Sequence, residues 1–73
     1  MLTRSSKKNK NILFSIITVV LNGEKHIEEC IKSVLYQKNK NFEYIVIDGG
    51  SSDKTNNIIK KYKKKIDIYI SKK

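Results

Sequence analysis

The chain has no proline and no tryptophan, and it has one cysteine, one histidine, one arginine and three glycines in 73 residues. Each scarcity removes a class of protein. The single cysteine, Cys30, cannot close an intrachain disulfide, so a disulfide-stapled secreted scaffold is excluded and a reduced, cytoplasmic setting fits. The single histidine, His26, cannot build a histidine metal cluster. The glycines stand at Gly23, Gly49 and Gly50, which cannot write the G-x-G-x-x-G turn of a dinucleotide fold, and there is no Walker lysine pattern. No apolar run reaches the roughly 20 residues that a bilayer span needs. The longest, Ile12 to Leu21, runs into Asn22-Gly23-Glu24 with no small-x-small cleavage site, so it reads as a strand and not as a signal-peptide core.

Acids are also few. Seven Asp and Glu against 16 Lys and Arg give a formal charge of +9, which invites a nucleic-acid or anionic-membrane reading. Lysine carries nearly all of that charge, whereas specific phosphate and base recognition favours arginine's planar fork. Ile and Asn are abundant alongside it, so the lysines are read first as solvated surface. At this length the chain is one small domain or a piece of one. It buries only about 60% of the surface its unfolded form exposes.

Residues 1–12 are polar and basic, carry no hydrophobic period and predict a disordered lead-in; residues 13–73 predict the ordered portion. Phe14 to Leu21 is β-branched and of strand length. Asn22-Gly23 breaks it at a strand-to-helix turn, with either residue near the cap. From Glu24 to about Tyr36, Ile27, Cys30, Ile31, Val34 and Leu35 follow the i, i+3, i+4, i+7, i+8 pattern of one apolar helix face, with Cys30 a core residue and His26 on the polar side. Phe42 to Ile47 forms a second strand, whose consecutive Ile45, Val46 and Ile47 suit a strand buried on both faces. Asp53 to about Lys64 predicts a second helix with a narrow stripe of Ile58, Ile59 and Tyr62. Ile66 to Ile70 alternates and predicts a third strand, possible as an edge. The pattern is α/β: a βαβαβ half of a doubly wound, mainly parallel sheet, Rossmann-like and truncated. Consecutive strands as neighbours give the order third, second, first, with the outer edge of the first unpaired. Ile31 and Ile47 are expected in the core.

Function concentrates in Tyr44 to Asp53. Asp48 is the first residue able to leave the second strand, and the carboxyl ends of parallel strands are where open α/β sheets hold ligands. A carboxylate there can accept a hydrogen bond from a base N–H or a ribose hydroxyl, and a ligand lacking the donor would leave the acid unpaired. Gly49 and Gly50 permit positive φ and close backbone approach, and Ser51, Ser52 or Asp53 can cap the next helix.

Three stretches together resemble the start of the family 2 glycosyltransferases, which have the GT-A fold: Ser15 to Gly23, Ile27 to Gln37 and Phe42 to Thr55. Ser33-Val34-Leu35-Tyr36-Gln37 and Ile47 to Thr55 are the most specific parts, and the resemblance runs from about Phe14 to Ile70. It implies a nucleotide-sugar donor, UDP-sugar foremost. It assigns Asp48 to the nucleobase and Val19 and Leu21 to the nucleoside pocket, with Glu24 near that pocket and Gly49 counted among the donor nucleotide-binding residues. Leu21 stands where the family often has tyrosine.

The resemblance also implies, for a full-length relative, a divalent metal (Mg²⁺ or Mn²⁺) on a D-x-D-type motif and a later carboxylate acting as base on a sugar or lipid-linked acceptor. No two acids of this chain have D-x-D spacing, so no catalytic or metal-ligating residue is assigned and no cofactor is expected within it. The chain reads as a nucleotide-sugar-binding fragment, inactive by itself, of a cell-envelope polysaccharide, lipopolysaccharide or glycolipid transferase. The expected setting is cytoplasmic, possible at the inner face of the membrane, with no transmembrane segment and no specific nucleic acid. The alternative is a small basic non-enzymatic module that binds nucleic acid or an anionic membrane through Lys60 to Lys65.

Overall fold

The computed structural model describes residues 2–7, 14–38 and 41–72. Strands β1 (Leu2–Lys7), β2 (Phe14–Val20), β3 (Phe42–Asp48) and β4 (Ile68–Ser71) form one sheet in the order β1-β2-β3-β4. Helix α1 (Ile27–Leu35) joins β2 to β3, while helix α2 (Thr55–Lys61) and a 3-10 turn (Lys63–Lys65) join β3 to β4. β2, β3 and β4 are mutually parallel, with Val20 opposite Asp48 and Asp48 opposite Ser71, so the three strands end along a common edge. The βαβαβ half-sheet is as the hydrophobic periods dictate.

The lead-in differs from expectation. Leu2–Lys7 is not disordered: it pairs antiparallel with β2, Leu2 opposite Val19 and Lys7 opposite Phe14. The edge of β2 that was expected to be unpaired is therefore covered. A free strand edge offers a row of N–H and C=O groups, and a polar, charged segment can satisfy them without any apolar period. Residues 1 and 8–12 of that lead-in lie outside the described residues.

The core lies on one face of the sheet. Ile16 and Val20 of β2 and Tyr44 and Val46 of β3 meet Ile27, Ile31 and Val34 of α1, Ile59 of α2, and Ile66. Crossovers between successive parallel strands are right-handed, so two made in the same direction put both helices on the same side. β3 is consequently not buried on both faces. Its even partners Tyr44, Val46 and Asp48 are buried, while Ile45 and Ile47 are half-buried on the other face. Ile47 thus leaves the expected core, and Ile31 stays in it.

The helices are shorter than their periods suggest. Residues 24–26 form a turn before α1, in which the His26 and Ile27 N–H groups both donate to the Gly23 carbonyl at 3.0 and 2.8 Å. Within the core, Thr18 bridges β1 and β3: its hydroxyl lies 2.8 Å from Thr3 Oγ1 and 2.9 Å from Tyr44 Oη. Burial pushes the Tyr44 phenol up to about 12, against the opposing pull of Thr18. Cys30 is half-buried on the apolar face of α1, its sulfur 3.8 Å from the same hydroxyl.

Candidate functional site

Two loops leave the common carboxyl edge of the sheet, residues 21–26 after β2 and 49–54 after β3. They are laced together by side chains that accept from the opposite backbone. The Asn22 N–H donates to Ser51 Oγ at 2.8 Å, and the Ser52 N–H donates to Asn22 Oδ1 at 2.8 Å. The Gly23 N–H donates to Thr55 Oγ1 at 2.9 Å, and the Glu24 N–H to Asp53 Oδ2 at 3.3 Å. Asn22 holds φ of 50°, a left-handed conformation that asparagine tolerates better than most residues. Gly23 is required by space: a Cβ there would stand 2.6 Å from Val20 Cγ2. Gly50 has φ of 108°, which turns the second loop back over the strand end.

Asp48 is the organising group. It is fully buried, and its carboxylate accepts from the Gly50 N–H at 3.1 Å, the Ser51 N–H at 3.1 Å, the Asn56 Nδ2 at 3.1 Å and Ser71 Oγ at 3.4 Å, as well as from the Ser51 hydroxyl. Burial alone would raise its pKa. The Ser51 hydroxyl and N–H, Asn56 and the Gly50 N–H outweigh it and hold the carboxyl below its ordinary value. Asp48 also fixes β4, because its carbonyl accepts the Lys72 N–H at 2.9 Å. Asn56 passes the network on by accepting from the Tyr69 hydroxyl. Asp53 closes the far end: it accepts from the Thr55 hydroxyl and N–H and from Glu24, and these bonds depress its pKa, the Thr55 hydroxyl most.

Above this network lies a cleft of about 380 Å³ lined by Gly50, Ser51, Asn56, Ser71 and Lys72. Its size falls in the range of small-ligand sites. It combines an ammonium, two hydroxyls, an amide and backbone at a glycine, a set suited to an anionic or polyhydroxyl ligand.

The five residues assigned from sequence are spread around this edge. Leu21 is 60% exposed and stands against Gly49, whose Cβ position lies 3.9 Å from Leu21 Cβ. Asp48 lies beneath them with its oxygens already taken, so it is not the open acceptor that its place in the sequence suggests. Val19 points to the face of the sheet that no helix covers, 41% exposed. Glu24 is exposed on the first loop, tied through its backbone to Asp53. None of the five lines the cleft, which opens between β3 and β4. Its Asn56, Ser71 and Lys72 were missed. The signal for two of them was available, since Ser71-Lys72 ends the third parallel strand at the same edge where Asp48 ends the second.

Among the described residues no group of three His, Cys, Asp or Glu could hold a metal ion, and no helix is long and apolar enough to cross a membrane.

Residues 15–73 match the family model described as glycosyl transferase family 2. An uncharacterized glycosyltransferase of Rickettsia typhi is 48% identical over 54 residues, which are 74% of this chain and 17% of that protein. A poly(ribitol-phosphate) beta-N-acetylglucosaminyltransferase of Staphylococcus aureus is 37% identical over 60 residues, 80% of this chain and 10% of that protein. A dolichyl N-acetyl-alpha-D-glucosaminyl phosphate 3-beta-D-2,3-diacetamido-2,3-dideoxy-beta-D-glucuronosyltransferase of Methanococcus voltae is 38% identical over 66 residues, 81% of this chain and 21% of that protein. The chain thus spans a fifth or less of the length of the first of these, and little more of the last. No solved structure matches.

Proposed function

The chain belongs to glycosyl transferase family 2, and from that premise we propose that its carboxyl edge binds the nucleotide of a nucleotide-sugar donor, a UDP-sugar foremost. The observation that carries the proposal is the Asp48 network. A buried, fully hydrogen-bonded acid ties the Gly50-Ser51 turn, α2 and the end of β4 together around one cleft, at the edge where open parallel sheets hold their ligands.

Asp48 acts from beneath. It fixes the Gly50-Ser51 turn and the Asn56 side chain, which line the cleft, by taking up their N–H donors. Leu21 and Gly49 offer an apolar patch and bare backbone beside it, against which a base can lie. Among the described residues that line the cleft, Lys72 supplies a cation, which suits the charge of a diphosphate. Val19 and Glu24 stand farther out, as supports of the strand end and the first loop.

In a complete transferase an acceptor hydroxyl attacks the anomeric carbon and the nucleoside diphosphate departs. The relatives' names point to acceptors in cell-envelope polymers and lipid-linked glycans, and a sugar or lipid-linked acceptor is proposed here too. The Mg²⁺ or Mn²⁺ that the family implies finds no fitting ligand set among the described residues, since Asp48 and Asp53 are both spent on their own loops. No step is routed through it. The 73-residue chain is accordingly expected to bind nucleotide without turning over.

The test is an NMR titration of the chain with UDP. Shifts are expected at Leu21 to Glu24, at Asp48 to Ser51, and at Asn56, Ser71 and Lys72. Shifts confined to Lys60 to Lys65 would mean diffuse phosphate attraction and overturn the proposal.

A further inference from the structure

The end of the molecule opposite the cleft carries charge that neither the fold nor the cleft uses. Both helices run antiparallel to the strands they follow, so the last turns of α1 and α2 come out at the amino edge of β2, β3 and β4. Lys60 and Lys61 sit in the last turn of α2, where they complement its dipole. Lys63, Lys64 and Lys65 do not: they lie beyond the helix in the 3-10 turn, and the dipole's influence fades within the last turn. All five are exposed. Tyr36, which ends α1 at this same edge, is 66% exposed.

We propose that this end is a docking surface for an anionic phospholipid bilayer, with the lysines of residues 60–65 as its charge and Tyr36 as its interfacial anchor. Three features favour a lipid surface over nucleic acid. A 3-10 helix has 3.0 residues per turn, so three consecutive lysines radiate about 120° apart. They form a knob of charge and not a stripe that could follow a phosphate backbone. The cluster contains no arginine to fork onto phosphate or base. An exposed tyrosine at the same edge as a polybasic turn has the amphipathic character of residues at a headgroup boundary.

Two acids near this end offset only part of the field: Glu28 accepts the Tyr62 hydroxyl and feels Lys61, and Asp67 accepts the Tyr44 N–H, against five lysines in residues 60–65. Adsorption here leaves the carboxyl edge, and the cleft on it, facing water. The inference does not depend on what that cleft binds.

The experiment is co-sedimentation of the 73-residue chain with phosphatidylcholine vesicles that contain or lack phosphatidylglycerol, over a range of salt. Retention is expected only with phosphatidylglycerol and is expected to fall as salt rises. Juxtamembrane lysines contribute roughly fivefold each in affinity, so Lys64→Gln/Lys65→Gln should lower partitioning by about tenfold or more. Lys25→Gln/Lys54→Gln has the same net charge but changes the opposite edge, and should lower it by less than about threefold. Tyr36→Ser should weaken binding without altering its salt dependence. Circular dichroism of each variant checks the fold, and Lys60→Gln/Lys61→Gln reads the same loss if the 3-10 turn is perturbed. Four results would overturn the proposal: no retention on anionic vesicles; equal losses in the two pairs; salt-insensitive binding to phosphatidylcholine alone; or tighter retention of duplex DNA or RNA at the same salt.

Discussion

Asp48 shows how one buried side chain can hold a turn, a helix and a strand end together. Its oxygens are filled by donors from three places in the chain: the Gly50-Ser51 turn, α2 and the end of β4. Asp48→Asn keeps the shape but places an amide against N–H donors, leaving at least one buried donor unpaired. The expected loss is about 1–3 kcal/mol at neutral pH, read as a lower urea midpoint. The pH dependence has a definite sign. Because the folded pKa lies below the unfolded value of about 3.9, the unfolded chain binds more protons in the window between them. The carboxylate's contribution is therefore complete above that window and is lost as pH falls through the folded value. Stability of Asp48→Asn should decline less steeply than the parent's below about pH 4. A parallel decline would mean that Asp48 does not couple the loops to the fold.

At the scale of elements, two predictions separate what covers each side of β2 and β3. β1 occupies the outer edge of β2 along six residue pairs. Removing residues 1–7 should expose that edge, lower the thermal midpoint and give concentration-dependent association visible by light scattering. A truncated chain that stayed monomeric at the parent's midpoint would show that β1 adds nothing to edge protection. The two faces of the sheet should differ as clearly. Ile31 is fully buried between α1 and the sheet, so Ile31→Ala should cost about 2–5 kcal/mol. Ile47 is half-buried on the face without helices, and Ile47→Ala should cost less than about 1.5 kcal/mol. Equal denaturation midpoints for the two variants would contradict this division.

The whole molecule is built on one sheet with a single finished face. Its radius of gyration is 12.0 Å, near the roughly 11 Å expected of a compact chain of this length. The helices cover one side of the sheet; on the other, Val19, Ile68 and Ile70 are 41, 44 and 43% exposed, with Ile45 and Ile47 half-buried between them. Together these five side chains make one apolar patch on the sheet, a kind of surface that invites association. The chain should therefore bind a hydrophobic dye such as ANS in its native state and self-associate as concentration rises, despite a charge of +9. Ile68→Thr/Ile70→Thr should reduce both. Dye binding unchanged in that variant would locate the apolar surface elsewhere.

Much of this protein was determined by the sequence alone, because local periods are physical constraints. The 3.6-residue repeat of Ile27, Ile31 and Val34 permits only a one-sided helix, and the β-branched runs ending at Val20 and Asp48 are of strand length. Strand, helix and strand in succession then dictate parallel neighbours with their carboxyl ends together, which places Leu21, Asp48 and Gly49 at one edge. The tertiary structure decided what local pattern cannot encode. β1 has no apolar period, since its partner is the backbone of β2. Ile45-Val46-Ile47 reads the same whether helices cover one face or two, and only the shared hand of the two crossovers left Ile47 on the uncovered side. Asp48 carries the same carboxylate whether open or saturated. That was settled by Asn56 and Ser71, 8 and 23 residues away along the chain, which the fold brings within hydrogen-bonding distance of its oxygens.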